Sequence, residues 1–231
     1  MAFGNGPRIV TSGLVLSLDA GDRNSYVSGS SVWNDVSGNG NSGTLTNGPT
    51  FSSTNGGSIV FDGSDDYGSI PDSSNLNIKT DGHSENVWVK VNNTTTQRIT
   101  FKRFGALGYG YSLYIASNAI GYEILTPSTF ILMTTPTISS GLWYNVSVSI
   151  SRSSTSYIYL NGVIAATGDY SSLSGLDITN TFPLTIGAVD PLIVLGSYLN
   201  GNLNTVLMYN RTLSATEVLQ NYNAQKSRFG L

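Results

Sequence analysis

The chain has 231 residues, 39% hydrophobic and only 11% charged, with 26 Gly and 13 Tyr, so its polarity comes mainly from Ser, Thr, Asn and Gly. This balance excludes a disordered chain, and the length allows a core that needs no staples. A formal net charge of −3 argues against a general nucleic-acid binder, which needs surplus Lys and Arg to neutralise phosphates, and zero Cys excludes disulfides, thiolate zinc sites and cysteine nucleophiles.

Residues 1–12 are expected to form an N-terminal arm and residues 13–231 one domain, since all-β sandwiches often reach about 200–250 residues as a unit. The opening Met1-Ala2-Phe3-Gly4-Asn5-Gly6-Pro7 lacks the basic and apolar regions of a secretory signal, and no apolar run approaches membrane-spanning length, so no membrane insertion is expected. The initiating Met favours a route out of the cell other than secretion, such as assembly into a virus particle.

Short apolar or alternating runs punctuated by turn residues mark strands rather than βαβ units. In chain order they fall at residues 14–18, 58–61, 67–70, 87–91, 98–101, 111–115, 119–124, 130–133, 143–151, 157–160, 163–167, 184–186 and 203–209. Between the first two, residues 25–54 repeat Gly, Asn and Ser and read as ordered surface loops, with Trp33, Val36 and Leu45 recurring inside them. From Trp143 to Ile150 large apolar and polar side chains alternate, which predicts one buried face and one facing water. Asn161-Gly162 then supplies the two positive-φ residues of a type I′ hairpin turn, giving three consecutive antiparallel strands. One short C-terminal helix is signalled near 214–222 by a capping box, Ser214 with Glu217, and by Val218, Leu219 and Tyr222 on one apolar face.

Several spaced motifs resemble one family. They are Gly13-Leu14-Val15-Leu16-Ser17-Leu18-Asp19-Ala20-Gly21, Trp33-Asn34-Asp35-Val36-Ser37-Gly38-Asn39-Gly40-Asn41 and Phe61-Asp62-Gly63-Ser64-Asp65-Asp66-Tyr67, then Trp88, Trp143, Tyr159-Leu160-Asn161-Gly162, Ile186-Gly187 and Tyr209-Asn210-Arg211-Thr212-Leu213-Ser214. Together they are similar to the laminin G-like domains of the concanavalin A-like lectin/glucanase superfamily. The resemblance implies an all-β, two-sheet antiparallel jelly-roll sandwich whose terminal strands pair with each other. The opening at Gly6-Pro7-Arg8 and the ending at Asn221-Tyr222-Asn223 resemble versions in tailed-phage structural proteins. That likeness implies a non-enzymatic virion protein, decorating a capsid or forming part of a tail, with other virion proteins and host-surface glycans as partners. The alternatives are a secreted bacterial carbohydrate-binding module and a hydrolase with a divergent site.

The related glucanases carry Glu-x-Asp-x-x-Glu on one strand, and none of the three Glu here, Glu85, Glu123 and Glu217, begins that motif. The single His, His83, is read as a loop residue beside Asp81 and Gly82, and Lys102, Arg103 and Arg98 as a solvated strand end. Asp62, Asp65 and Asp66 concentrate carboxylates beside Gly63 and are candidate Ca²⁺ ligands, with an Asp-rich turn capping backbone amides as the plainer reading. Asp35 with Asn39 is a poorer second candidate. Sugar faces stack on exposed aromatics, and Tyr26, Trp33, Tyr109 and Tyr122 lie in or beside loops as candidate platforms; Trp88 and Trp143, within alternating strands, read as core.

Overall fold

A computed structural model describes residues 7–79, 82–103, 108–126, 128–189 and 196–231; Met1 to Gly6 of the arm and Asp81 lie outside the described residues. Its strands are β1 (Leu14–Asp19), β2 (Val32–Trp33), β3 (Gly43–Thr46), β4 (Thr50–Ser52), β5 (Ser58–Asp62), β6 (Tyr67–Ile70), β7 (His83–Val91) and β8 (Gln97–Arg103). They continue with β9 (Gly110–Ala116), β10 (Ala119–Leu125), β11 (Phe130–Thr134), β12 (Trp143–Ile150), β13 (Thr155–Leu160), β14 (Val163–Asp169), β15 (Leu184–Ile186) and β16 (Asn200–Tyr209), before helix α1 (Ala215–Gln225) and a closing 3-10 turn (Lys226–Phe229).

The strands make two antiparallel sheets stacked as a sandwich. One runs β14-β13-β12-β7-β16-β5-β4, and the other runs β11-β10-β9-β8-β15-β6-β3-β2. The ten-residue β16 is the hub of the first sheet: β7 lies along one side, while β5 and β1 share the other, β1 pairing Leu14 with Tyr209 and Asp19 with Thr205. The terminal strands therefore pair, and neither leaves an edge open within the core. Val87, Val146, Val148, Leu203 and Val206 from this sheet meet Ile99, Leu113, Ile115, Ile120 and Leu184 from the other, all fully buried.

The hairpin between β13 and β14 turns on Asn161 at φ 52° and Gly162 at φ 78°, as its sequence predicts. The alternation in β12 has a different outcome from the one expected. Val146, Val148 and Ile150 face the core, but Asn145, Ser147 and Ser149 are buried too, because the C-terminal segment lies over the outer face of the sheet. Their polar atoms are paired, Ser149 Oγ donating to Leu213 O at 2.6 Å and Asn86 Nδ2 to Asn145 Oδ1 at 3.1 Å. An orphaned buried group would cost about 1–3 kcal/mol, so this covering requires the pairing.

The segment is fixed by its own sequence. Ser214 Oγ accepts from Glu217 N, and the Glu217 carboxylate accepts from Ser214 N at 2.9 Å and pairs with Arg211 at 2.6 Å. Val218 sinks into a second apolar cluster with Val10, Tyr159, Leu207, Tyr209 and Leu213, whereas Leu219 of the predicted apolar face stays exposed. The described part of the arm is knitted to α1, Val10 N donating to Asn221 Oδ1 at 2.8 Å. Among the described residues, no helix is long and apolar enough to cross a membrane.

Three expectations are corrected here. The stretch at residues 25–54 contains β2, β3 and β4, short strands with too little alternation to stand out, held partly by Asp35, whose carboxylate accepts from Ser17 N and Asn41 N, each at 2.9 Å. His83 opens β7 and is buried, rather than lying in a loop. The basic cluster is not solvated. Lys102 is fully buried, donating to Asp72 at 2.6 Å and to Phe182 O at 2.7 Å, and Arg98 and Arg103 both pair with Glu123, at 2.9 and 2.8 Å. Burial lowers the pKa of Lys102, and Asp72 opposes that shift.

Candidate glycan-binding groove

After β1 the chain must turn sharply, and Asp19 and Asp22 make it do so. Asp19 Oδ1 accepts from Gly21 N at 2.8 Å, while the Asp22 carbonyl accepts from Tyr26 N at 2.8 Å. This single turn drives the Tyr26 ring inward, where its hydroxyl donates to Ser30 O at 3.1 Å and burial raises its pKa. The ring meets Phe51 of β4 at a centroid distance of 5.7 Å. Alongside, the backbone at 20–21 closes onto the backbone at 56–57. A Cβ on Gly21 would lie 2.1 Å from Gly56 O, and one on Gly57, already at φ 111°, would lie 2.8 Å from Ala20 O, so only Gly allows this approach.

The result is a groove made of two adjoining hollows. One, of about 530 Å³, is lined by Arg23, Tyr26, Val27, Phe51 and the Gly56-Gly57 backbone; the other, of about 390 Å³, by Tyr26, Ser30, Ser31, Pro49 and Thr50. Tyr26, Ser28 and Phe51 are common to both. The half-buried Phe51 ring, backed by buried Tyr26 and rimmed by hydroxyls, a guanidinium and glycine backbone, can stack on a sugar whose hydroxyls the rim bonds.

The acidic turn abuts one end of the groove, since Asn47 Nδ2, next to Gly48 of the groove, donates to Asp65 O at 2.9 Å. Oxygens of Asp62, Asp65 and Asp66 lie within 4.8 Å of one another, with Asp66 buried and the other two exposed. Burial raises the Asp66 pKa, and the charges of Asp62 and Asp65 add to the rise. The turn also caps itself, Asp66 Oδ2 accepting from Asp62 N at 3.0 Å and Asp62 Oδ1 from Ser64 N at 2.8 Å. Three crowded carboxylates fit a hard cation such as Ca²⁺, which would relieve their repulsion, and Asp62 and Asp65 have the exposure to accept it. Asp35 differs, because its carboxylate is committed to Ser17, Ser37 and Asn41.

Of the four candidate platforms, only Tyr26 lines the groove. Trp33, Tyr122 and Tyr26 itself are corrected to core side chains, at 1%, 0% and 4% exposure, for a buried ring offers no face to a ligand; Tyr26 backs the groove, and Phe51 is its half-buried ring. Tyr109 is exposed but lies outside the groove. Tyr122 instead stands between the sheets with Tyr111, His83 and Glu85, where His83 Nε2 is 3.2 Å from Glu85 Oε1 and Thr100 Oγ1 donates to Glu85 Oε2 at 2.7 Å. Phe51 and Arg23 were not singled out by the sequence. The pair Gly56-Gly57 was the one local signal that backbone approaches closely there.

All three Glu are engaged: Glu85 with Thr100 and His83, Glu123 with two arginines, and Glu217 with Arg211 and Ser214. Retaining glycoside cleavage needs two carboxyls about 5 Å apart with the scissile bond between them. Among the described residues the one cluster of three carboxylates, Asp62, Asp65 and Asp66, shares one five-residue turn.

Residues 62–219 match the family model described as concanavalin A-like lectin/glucanases superfamily. No curated protein matches the chain in sequence. Among solved structures it is similar to the binding domain of Paraclostridial mosquitocidal protein 1, with a TM-score of 0.74 and 16% identity over 91% of this chain and 52% of that one. It is similar also to the botulinum neurotoxin serotype D ligand binding domain solved with N-acetylneuraminic acid, with a TM-score of 0.74 and 14% identity over 94% and 52%. A third is the botulinum neurotoxin DC binding domain solved with rat synaptotagmin II, with a TM-score of 0.73 and 14% identity over 94% and 52%. At these identities the likeness is one of fold, and the chain spans about half the length of the structures it matches.

Proposed function

We propose that this chain, which belongs to the concanavalin A-like lectin/glucanases superfamily, is a non-enzymatic, lectin-like module that binds glycans in the Tyr26–Phe51 groove. The observation that carries the reading is the groove itself, where the half-buried Phe51 ring, backed at 5.7 Å by the buried Tyr26 ring, is rimmed by Ser, Thr, Arg and exposed glycine backbone. The engagement of every Glu supports binding without cleavage. The resemblance of its opening and ending motifs to tailed-phage structural proteins supports display on a virion, with host-surface glycans as the ligands; detection in purified particles by mass spectrometry tests that part, and absence from them favours the secreted module.

The botulinum serotype D domain was solved with N-acetylneuraminic acid, so sialylated glycans belong on the panel beside neutral ones. A glycan array should show saturable binding by the parent chain, weakened at least tenfold in Phe51→Ala. Binding indifferent to Phe51→Ala and Arg23→Ala would overturn the assignment of the groove. New reducing ends released from a bound glycan, and lost when one Asp is changed to Asn, would establish an enzyme instead.

A further inference from the structure

The first sheet turns two unlike surfaces outward. Around Tyr209, the apolar cluster of Leu207, Tyr159, Leu213 and Val218 seats the first turns of α1. Further along, the strand registers set Trp143 beside Lys90, and Asn145 and Thr205 on either side of Trp88. Two indoles, amides, a hydroxyl and a cation on one sheet face make a poor helix seat. They are the side chains that stack on pyranose faces and bond sugar hydroxyls.

This second surface is covered by the last residues of the chain. The Phe229 ring lies on Trp88 at 3.8 Å and 11°, and against Trp143 at 4.8 Å. Arg228 pairs with Asp19 at 2.8 Å, and its carbonyl accepts from Asn55 Nδ2 at 3.1 Å, while Asn55 Oδ1 accepts from Trp143 Nε1 at 3.1 Å. Trp88 is left fully buried, with Nε1 donating to Gln225 Oε1 at 2.9 Å.

We infer that the closing turn Lys226–Phe229 is a plug over a second saccharide-binding surface, with Phe229 in the place where a pyranose would stack on Trp88 and Trp143. The anchors of α1 and of the plug overlap at Trp88, on which Tyr222 also stacks at 5.8 Å and to which Gln225 is bonded, but α1 has others of its own. The helix is held by its capping box, by Val218 in the apolar cluster and by Asn221 to Val10, none of which involves residues 226–231. The turn is held by the Phe229 contacts with Trp88 and Trp143, Lys226 over the Tyr222 ring, a partly exposed ion pair and one amide contact, the kind of set that opens locally while the rest of a fold stays closed. Lifting it frees the parts of the Trp88 and Trp143 rings that Phe229 covers, the Asn55 Nδ2 donor and the side of the Asp19 carboxylate that faces Arg228, while Tyr222 and Gln225 stay on Trp88. Flat faces and hydroxyl-bonding groups without a buried cation suit a neutral oligosaccharide of equatorially substituted pyranoses. Such a ligand binds the open form alone and so draws the equilibrium toward it.

The glycan-binding reading supplies only the class of ligand here, and the test keeps the two surfaces apart. In the full chain, Phe229→Ala should increase acrylamide quenching of tryptophan fluorescence, and should bind cellohexaose at least tenfold more tightly than the parent does. Adding Trp143→Ala should remove that gain, while adding Phe51→Ala should leave it intact. Phe229→Leu, which keeps apolar bulk without a ring, serves in the same way should the alanine variant lose its far-UV circular dichroism. A folded variant whose tryptophans stay as protected as the parent's overturns the plug. Exposed tryptophans with no gain for cellohexaose or laminarihexaose overturn the saccharide surface, and leave the Tyr26–Phe51 groove untouched.

Discussion

Replacing Gly162 by Val tests the joint between the β13–β14 hairpin and the C-terminal helix. Gly162 holds φ at 78°, where a side chain costs about 1–2 kcal/mol and a β-branched one stands at the upper end of that range. A Cβ there would also lie 3.1 Å from Tyr222 Cδ1 and 3.2 Å from Leu219 Cδ1. Those are ends of movable side chains on α1, so the helix side chains should shift rather than the hairpin open. For a chain of this size 1 kcal/mol corresponds to about 2–4 °C in Tm, so Gly162→Val should lower Tm by about 4–8 °C in a calorimetric or circular dichroism melt. Gly175 gives the control, since at φ 76° it has nothing within 4 Å of a Cβ. Gly175→Val should report backbone strain alone, and the difference between the two variants should report the contact with α1. Gly162→Asn should be milder, because Asn tolerates this region and Asn161 already occupies it. An unchanged melt for Gly162→Val would refute the turn geometry; equal losses for the two Val variants would refute the contact.

If the acidic turn takes Ca²⁺, Tm should rise as free Ca²⁺ exceeds its dissociation constant and fall with EDTA, and Asp66→Ala should abolish both responses; a melt indifferent to either reagent marks a plain turn. Glu217 is held at about 2, below its usual 4.5, first by its hydrogen bond to Arg211 and then by the Ser214 cap. Its folded pKa is depressed, so its stabilisation is complete above about pH 4.5 and is lost as pH falls toward 2. Glu217→Gln should therefore flatten that part of the acid melt, and an unaltered acid limb would refute the role. Lys102→Met should cost about 1–3 kcal/mol, because the carbonyls of Phe182 and Asn180 and the Asp72 carboxylate lose their donor; a neutral outcome in urea titration would show that water replaces it.

What could be read in the chain was whatever is decided locally. Val146, Val148 and Ile150 announce β12 by alternation, Asn161-Gly162 its hairpin partner, and Ser214 with Glu217 the helix start, because each depends on residues within a turn or two. What was missed depends on partners far away. Lys102 looks like a solvated charge until Asp72, Asn180 and Phe182, 30 to 80 positions distant, converge on it. The polar face of β12 looks wet until the last residues of the chain cover it. Tyr26 could be proposed, but its groove exists only where residues 20–21 meet residues 56–57, and Phe51 gives no sign of it by spacing.

The position of β16 at the middle of its sheet has a consequence for the order in which the molecule can be made. β7, β5 and β1 all wait for a partner that emerges from the ribosome last among the strands. Between Asp19, the end of β1, and Asn200, the start of β16, lie 180 residues, and at about 5–20 residues per second their synthesis takes on the order of 10–40 s. Through that interval the first sheet is split, β14-β13-β12-β7 on one side and β5-β4 on the other, with β1 unpartnered. Closing so distant a pair is entropically slow, so refolding should be governed by the docking of β16 rather than by local hairpins. A chain stopped before residue 200 should present the open edge of β7 to other copies and aggregate, while the β7–β12–β13–β14 half of the sheet remains able to form.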